Sequence, residues 1–581
     1  MGGLAKLPVE GERNILVTSA LPYVNNAPHL GNIIGSVLSA DVFARFCRLR
    51  GYNVLYVCGT DEYGTTTEVK AAQENVTSRE ICDKYHPLHR DTYNWFDISF
   101  DHFGRTSTPQ HTQVCQQVFE KLNRNDMLKE DTFDQLYCEG CLKFLADNFV
   151  EGQCPGCHHS CKGDQCELCG AFINARELLN PVCTICRSSS LSLRSTEHLF
   201  LQLASVHGDL RHNCNKLTFS NQQAENDSKQ LLDQAELLPK CITRDLKWGV
   251  PVPVEKFKDK VMYVWFDAPL GYVSITKCHT SDWELWWKNP QKVELHQFMG
   301  KDNVKFHSVF FPSYLIGTRE NWTLPHSIHA THFLLFRGGK FSKSKGLGVF
   351  GNDVKKTNIP VEVWRYYLIS VRPETTDSTF SWEHLQAKLN SELADNLGNF
   401  INRVLTFVAK PSGKGYESII PLNVSGASEI DLDLGAKLHD CVQEYVKALE
   451  QGKLKDGLNK AMAISADGNK YFQENKVWEL YREDKARCDF VVKTLIGVVC
   501  ILASVLEPFM PSFTAEVLQQ LNLPAHEFRL DDVNIIKAER PWEIAPPLHK
   551  IGTPRALFKK LKNEHVQALE KQFSGNQSHP S

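Results

Sequence analysis

Asn14-Ile-Leu-Val-Thr-Ser19, the loop Leu21-Pro-Tyr-Val-Asn-Asn-Ala-Pro-His-Leu-Gly31, the apolar series behind it and Val54-Leu-Tyr-Val57 decide the fold. The opening hexapeptide reads as a short buried strand. After the Pro- and Asn-rich loop, Ile33, Ile34, Val37, Leu38, Phe43, Phe46 and Leu49 recur at helical spacing until Gly51 closes the helix. The second apolar run leads into Cys58-Gly-Thr-Asp-Glu-Tyr-Gly64 and reads as a second buried strand. Strand, loop, helix, strand is a βαβ unit, which demands a parallel sheet with ligands at the strand carboxyl ends. Asp61 ends such a strand in a Gly-rich loop and is a functional candidate on that ground alone.

Outward from this unit, the composition shifts near residue 131. Cysteines crowd in, and periodicity fades before a polar stretch from Asn221 to Lys229, so the segment reads as an insertion between two sheet halves. Strand-like runs return at Val261-Met-Tyr-Val-Trp-Phe266 and Gln297-Phe-Met299, and Arg337-Gly-Gly-Lys-Phe-Ser-Lys-Ser-Lys-Gly346 is a basic Gly-rich loop. After Trp382 the pattern is helical: Leu385, Leu389, Leu393, Leu397, Ile401 and Leu405 form one apolar stripe. Asn396, Asn399 and Arg403 fall roughly opposite that stripe, on a shared exposed face. Further helices are expected over Leu432–Leu449, Lys455–Glu474 and Phe490–Leu506, and Leu557–Phe573 is expected as a basic helix. The expected class is α/β: a Rossmann-type parallel sheet split by a Cys-rich insertion, then an all-α bundle.

The chain has 581 residues, 42% of them hydrophobic, which excludes a mainly disordered protein. Lys and Arg total 65 against 68 Asp and Glu, so any polyanion must be met by local patches and not by a basic coat. The longest apolar run, Thr494 to Leu506, is too short to span a bilayer and reads as a core helix. Met1 to Asn14 has no apolar core of the signal-peptide kind, and Lys6 stands where myristoylation wants Ser or Thr. The expected compartment is the cytoplasm, with no membrane partner.

Two loops carry phosphate chemistry. Ala27-Pro-His-Leu-Gly-Asn32 opens a helix, whose first backbone N–H groups and dipole favour anions. Gly31 lets a nucleotide approach, and His29 can donate to an oxyanion whose charge grows in a transition state. Lys340 and Lys343, three apart on the second loop, suit a clamp on departing phosphates. Eight of the 19 cysteines form four C-x-x-C pairs: Cys138/Cys141, Cys154/Cys157, Cys166/Cys169 and Cys183/Cys186. In a long chain these point to closed, structural tetrathiolate zinc sites and not to disulfides. Eight residues separate Cys157 from Cys166, which suits one compact knuckle, but spacing alone leaves the pairing open.

In this order, the two loops resemble the HIGH and KMSKS signatures of class I aminoacyl-tRNA synthetases. Thr18-Ser-Ala-Leu-Pro-Tyr23, Gly59-Thr-Asp-Glu-Tyr-Gly64, Tyr263-Val-Trp-Phe-Asp-Ala-Pro-Leu-Gly-Tyr272, Gly300-Lys-Asp-Asn303 and Phe306-His307 narrow the resemblance to methionyl-tRNA synthetases of the eukaryotic cytosolic type. Asn32 stands where many relatives have a second His, Phe341 replaces the usual Met, and Phe311 stands where relatives often have Trp. The resemblance implies an ATP-dependent ligase that joins methionine to the 3′ end of tRNA(Met) for translation initiation and elongation. It implies catalytic roles for His29, Asn32, Lys340 and Lys343, and ATP contacts from Gly31, Lys301, Asp302, Leu334 and Lys343. It implies a methionine pocket of Leu21, Tyr23, Asp61, Trp265, Ala268, Pro269, Tyr272 and His307, and anticodon contacts from Asn399, Arg403 and Trp478. One Zn²⁺ would sit on Cys154, Cys157, Cys166 and Cys169, another on Cys138, Cys141, Cys183 and Cys186, and Mg²⁺ would accompany ATP.

The implied domains are a Rossmann catalytic domain at 12–130 and 244–335, a connective insertion with zinc knuckles at 131–243, and a KMSKS-type loop and stem-contact region at 336–384. A helical anticodon-binding domain at 385–545 and a basic helix and tail at 546–581 complete the chain. Family members often carry appended domains. None is recognisable here, which leaves partners in a multi-synthetase assembly open.

Overall fold

The computed structural model describes residues 6–574 except 163–165, 167, 170, 172, 236, 340, 342–345, 352, 423–425 and 525–528. It comprises two compact units: Met1–Pro28, Leu55–Tyr93 and Phe100–Ala330 form the first, and His29–Val54, Asn94–Ser99 and Thr331–Ser581 the second.

The first unit is built on a six-stranded sheet. Strand β1 (Asn14–Ser19) is followed along the chain by helix α1 (Leu38–Leu49), which belongs to the second unit, and by strand β2 (Asn53–Thr60). Strand β3 (His102–Arg105) and helix α2 (Pro109–Arg124) lead to two long strands of the insertion, β4 (Leu128–Cys138) and β5 (Leu191–Leu201). Then come β6 (Thr218–Phe219), α3 (Val264–His279), β7 (Val293–Gly300) and β8 (Pro325–Thr331). The sheet order is β6-β8-β7-β1-β2-β3. Asn14 to Ser19 pair in parallel with Val293 to Phe298, and β2 pairs in parallel with β3. Every residue of β1 and β2 is buried, as parallel strands covered on both faces require. Strands diverge from β1 in both directions, so its carboxyl end and that of β7 form a topological switch point.

In the insertion, β4 and β5 pair antiparallel from Leu128↔Leu201 to Cys138↔Leu191. A small three-stranded sheet lies beyond their tips. Two expectations fail in this unit. Val261 to Phe266 is no continuous strand: only Val261–Met262 pairs, and α3 begins at Val264. Most of that helix is buried on all sides, and a helix apolar all round cannot be told from a buried strand by periodicity. Asn221 to Lys229 is no irregular stretch either. Gln222–Leu232 is helical, with the Asn221 side chain accepting from Ala224 N at 2.8 Å.

The second unit is mainly helical: α4 (Asn399–Ala409), α5 (Glu429–Glu450), α6 (Leu454–Glu474), α7 (Lys485–Leu506) and α8 (Asn563–Phe573). The six-residue stripe from Leu385 to Leu405 is entirely buried. A repeat of four drifts by about 40° per step round an ideal helix. The wide-turned segment Lys388–Gly398 takes up that drift. Thr494 to Leu506 lies in α7, whose residues are buried from Phe490 onward, as expected of a core helix. Arg365, wholly buried, donates to Asp41 Oδ2 at 2.7 Å and to the Phe509, Phe96 and Pro508 carbonyls at 2.8 Å, tying α1 to the end of α7. The expected basic helix from Leu557 is a correction. Helix α8 starts only at Asn563, and Arg555, Lys559, Lys560 and Lys562 precede it in an extended segment. That segment is held by Leu561 N–H donating to Asn390 Oδ1 and by Phe558 stacking on Phe513.

Candidate active site

Parallel pairing brings the carboxyl ends of β1, β2 and β7 to one edge, where Leu21, Asp61 and Lys301–Asp302 follow their strands. Asp61 pairs with Tyr23 through a backbone bridge, and its N–H donates to the Pro22 carbonyl at 2.9 Å. The loop beyond it is pinned by Glu62, wholly buried, which accepts from Arg105 Nε and Thr60 Oγ1. Burial pushes the Asp61 carboxyl well above the usual carboxylate range. Asp61 Oδ1 is buried with no hydrogen-bond partner among the described residues. An acceptor left in that state costs ~1–3 kcal/mol, more if charged, so the geometry calls for a cationic donor.

Pro269 and Tyr272 come from α3 and are buried; Trp265 and Ala268 on the same helix are half-buried. Gly271 permits the approach of the β1 loop, because a Cβ there would lie 2.7 Å from Leu21 Cδ1. The tautomer of His307 follows from its partners. Nδ1 faces the Asn303 carbonyl at 2.8 Å, which can only accept, so Nδ1 carries the proton. Burial pushes His307 down to about 4, so the ring is neutral and Nε2 accepts from the Tyr272 hydroxyl at 2.8 Å. Both protons are committed. Neither group has one left for a thioether, so they can meet one only by packing.

In the second unit, His29 caps the first turn of its helix. Nδ1 accepts from Asn32 N–H at 3.2 Å, and Asn32 Oδ1 accepts from His29 N–H at 3.1 Å. That reciprocal cap puts the proton of the neutral ring on Nε2, the nitrogen turned away from the cap. The imidazole stacks on Phe341 at 4.9 Å with 4° between planes and meets Phe350 edge-on at 5.9 Å. A Cβ at Gly31 would lie 2.9 Å from the ring and 3.6 Å from the Leu334 carbonyl, so glycine keeps the seat open. The aromatic support from Phe341 and Phe350 was not anticipated; Phe341 stood out in the sequence only as a replaced Met. Lys340 and Lys343 lie outside the described residues.

The eight cysteines gather into two groups of four, Cys138/Cys141/Cys183/Cys186 and Cys154/Cys157/Cys166/Cys169, each with all sulfurs within 4.8 Å of one another. Closest sulfur pairs are 3.4 and 3.8 Å apart in the first group and 3.8 and 3.6 Å in the second. A tetrahedron with ~2.3 Å metal–sulfur bonds has edges of about 3.8 Å, so both groups fit a tetrathiolate ion. The turns repeat one device. Leu142, His158 and Arg187, each four residues past the first cysteine of its pair, take positive φ of 50°, 56° and 59°. Glu294, His296 and His326 also converge, but Arg13 forks onto the Glu294 carboxylate at 2.9 and 2.8 Å, which makes that group an ion-pair cluster.

On the helical bundle, Arg403 lies over the Phe472 ring at 4.3 Å, and Phe472 meets Trp478 at 6.2 Å. Trp478 is 45% exposed, and Asn399 is exposed. Phe472, the buried layer between cation and indole, escaped the sequence reading because a lone Phe in an amphipathic helix reads as core. Asn396 is a correction. It does not share the exposed face but accepts from Asn469 Nδ2 at 2.8 Å and Ser465 Oγ at 3.2 Å, because α6 packs over it.

A parallel sheet with a switch-point pocket, a capping His-x-Gly-Asn turn and a helical bundle together define a class I aminoacyl-tRNA synthetase. The family model of class I tRNA synthetases (M) matches residues 15–405, and that of the anticodon binding domain of methionyl tRNA ligase matches 422–578. A cytoplasmic methionine–tRNA ligase of Arabidopsis thaliana is 58% identical, covering 99% of this chain and 73% of the relative. The human cytoplasmic enzyme is 47% identical over 99% of this chain and 63% of its own. A Mycobacterium tuberculosis methionyl-tRNA synthetase solved with methionyl-adenylate shares the fold at TM-score 0.76 and 23% identity, over 94% of this chain and 99% of that one. The chain belongs to the methionyl-tRNA synthetase family and is a ligase of that class.

Proposed function

We propose that this chain activates L-methionine with ATP and transfers it to tRNA(Met), with Asp61 as the seat of the amino group. The observation that carries this reading is the buried, unpartnered Asp61 Oδ1 at the strand edge beside the Tyr272–His307 pair. The ammonium binds Asp61 and the Leu21 carbonyl. The thioether lies among Leu21, Tyr23, Trp265, Ala268, Pro269, Tyr272 and His307. The methionine carboxylate attacks the α-phosphorus of ATP and expels pyrophosphate, leaving methionyl-adenylate. The terminal 2′-hydroxyl of the tRNA then takes the acyl group and releases AMP. No protein nucleophile is needed, so catalysis rests on positioning and on stabilising phosphoryl charge.

In the second unit, His29 Nε2–H and the Asn32 amide face the α-phosphate, Gly31 and the Leu334 carbonyl seat the nucleotide, and Lys340 and Lys343 hold pyrophosphate. In the first unit, Lys301 and Asp302 contribute to ATP binding, and Mg²⁺ accompanies the triphosphate. The two cysteine groups each hold one Zn²⁺ that folds the insertion without taking part in chemistry. Asn399, Arg403 and Trp478 read the anticodon, with Trp478 stacking on a base. Loss of the methionine methyl changes packing by only ~1–3 kcal/mol, so homocysteine is activated and then rejected at the same site. The compartment is the cytoplasm, in keeping with the names of the Arabidopsis and human relatives.

The test is methionine-dependent pyrophosphate exchange and charging of total tRNA, with zinc measured on the same sample. Exchange with methionine alone among the twenty amino acids, and two zinc ions per chain, are expected. Absence of exchange, or exchange driven by another amino acid, overturns the reading.

A further inference from the structure

Apart from Glu62, whose charge is met by Arg105, two buried carboxyls belong to the surroundings of the amino-acid pocket, and the reaction proposed above uses only Asp61. The other, Asp267, lies wholly buried in the first turn of α3. Its Oδ2 faces His111 Nε2 at 3.1 Å, and the other ring nitrogen, His111 Nδ1, faces Ser274 Oγ at 2.8 Å. All three side chains are fully buried.

Donor and acceptor accounting locates the proton. The Ser274 hydroxyl donates to the Gly271 carbonyl at 3.0 Å, and a carbonyl can only accept. With its one proton on that carbonyl, the Ser274 oxygen accepts from His111 and Nδ1 carries hydrogen. If the ring is neutral, Nε2 is an acceptor; the Cys115 thiol at 3.5 Å is a weak donor, and an ionised Oδ2 at 3.1 Å would set lone pair against lone pair, so Asp267 donates. The carboxyl of Asp267 is then an acid, with its proton on Oδ2. Two alternatives charge buried groups. An imidazolium beside a carboxylate charges two. Ser274 donating to Nδ1, with Nε2–H on a carboxylate, leaves a buried anion whose Oδ1 has no partner among the described residues and which no cation offsets. Burial alone pushes His111 down to about 3 and Asp267 well above the carboxylate range, which reverses their usual order and puts the proton on the acid.

Two effects oppose this, and the smaller, local one is a hydrogen bond to the carboxyl from its own backbone N–H. The start of α3 favours an anion, by ~0.3–1 kcal/mol and at most about 2. Charging a buried carboxyl costs several kcal/mol, so desolvation wins. The groups facing Asp267 from neighbouring elements add no cation: His111 and Cys115 on α2, Asp61 and Tyr63 after β2, and Tyr314. No lysine or arginine acts on it among the described residues.

We propose that Asp267 is a permanently neutral acid, kept so by the His111–Ser274 relay, and that it serves as a positioning residue leaving Asp61 the single charge of the pocket. One carboxylate then matches one ammonium. Were both ionised, the pocket would carry two negative charges against one, and Asp61 would itself be driven toward protonation. This rests on the reading of Asp61 as the ammonium partner.

Isotope-edited infrared spectra test it on the whole protein carrying carboxyl-labelled aspartate, with methionine bound at about pH 8. Asp61 is then ionised, so a remaining protonated-aspartate band belongs to Asp267. A band that persists and disappears in Asp267→Asn is expected; no such band in the wild type overturns the proposal. Kinetics give a second readout. Asp267→Ala, which leaves His111 without a donor, should raise the methionine KM about tenfold with little change in kcat. Asp267→Asn, neutral and still a donor, should restore it to within about threefold; an Asn variant as impaired as Ala overturns the proposal. Should neither variant fold, the wild-type band decides alone. Failure of the underlying reading looks different: Asp61→Asn would leave the methionine KM unchanged while the Asp267 band remained.

Discussion

Asp61 is 3% exposed and Trp478 45%, and under the function proposed here the two stand for opposite ways of recognising a ligand. Around Asp61 water is excluded, the carboxyl is held away from its ordinary range, and the neighbouring Tyr272 and His307 have their protons committed. Attraction between charges at 4 Å rises from ~1 kcal/mol in water to ~4 at an effective dielectric of 20, so burial supplies the strength of this seat. The Arg403–Phe472–Trp478 platform keeps its outer face in solvent and offers a π surface and a cation. Stacking of a base on such a platform, as proposed for Trp478, is worth ~1–3 kcal/mol and tolerates movement of the partner. A small ligand that must be held for chemistry gets a dry, rigid pocket; a large one bound by many weak contacts gets a wet, open surface.

The sharpest way to break this contrast is Asp61→Asn. Removing the carboxylate charge from a dry seat should depress kcat/KM for methionine in pyrophosphate exchange by about a hundredfold to several thousandfold, about 3–5 kcal/mol. A loss under tenfold would mean the pocket is wetter than its geometry says. Next is the pH dependence of stability. His307 is pushed down to about 4 by burial, against ~6.5 for an exposed His. Between these values the unfolded chain binds a proton that the folded chain refuses, so stability is complete above ~6.5 and falls as pH drops toward 4, by on the order of 3 kcal/mol for this group. Denaturant unfolding of His307→Gln should show a shallower acid slope than the wild type; an equal slope contradicts a dry pocket.

Trp478→Ala should lower kcat/KM for tRNA charging by ~10–100-fold while leaving pyrophosphate exchange intact. A parallel fall in both activities would erase the distinction between the two regions. The smallest effect belongs to Asn396→Ala. With its side chain tied to Asn469 and Ser465, the change should cost about 1 kcal/mol of stability and less than threefold in charging. A larger charging defect would place Asn396 in the RNA surface after all.

The parallel sheet was legible because buried strands and a following amphipathic helix leave local periodic marks, and Asn14–Ser19 was recovered to the residue. Elements buried all round left no such mark, which is why Val261–Phe266 looks like a strand although the helix already starts at Val264. Asn396 and Arg403 show the limit of helical-face reasoning. Spacing puts them on one side of an isolated helix, but α6 covers one and Phe472 cradles the other. The tail was misread for a related reason: Lys and Arg favour helix in isolation, while tertiary contacts at Leu561 and Phe558 hold their segment extended.

By itself the sequence determined which residues can do chemistry: eight thiolates in four tight turns, a carboxylate at a strand end, a His and a Gly at a helix start. These depend on neighbours a few residues away, within reach of one turn or one strand. Only the tertiary structure decided which cysteines share a centre, which nitrogen of His29 and of His307 carries the proton, and which of two buried aspartates bears the charge. Those answers depend on dielectric and on donors brought from distant parts of the chain, such as Ser274 and Asp267 on α3 closing on His111 of α2. A linear pattern records no such distances.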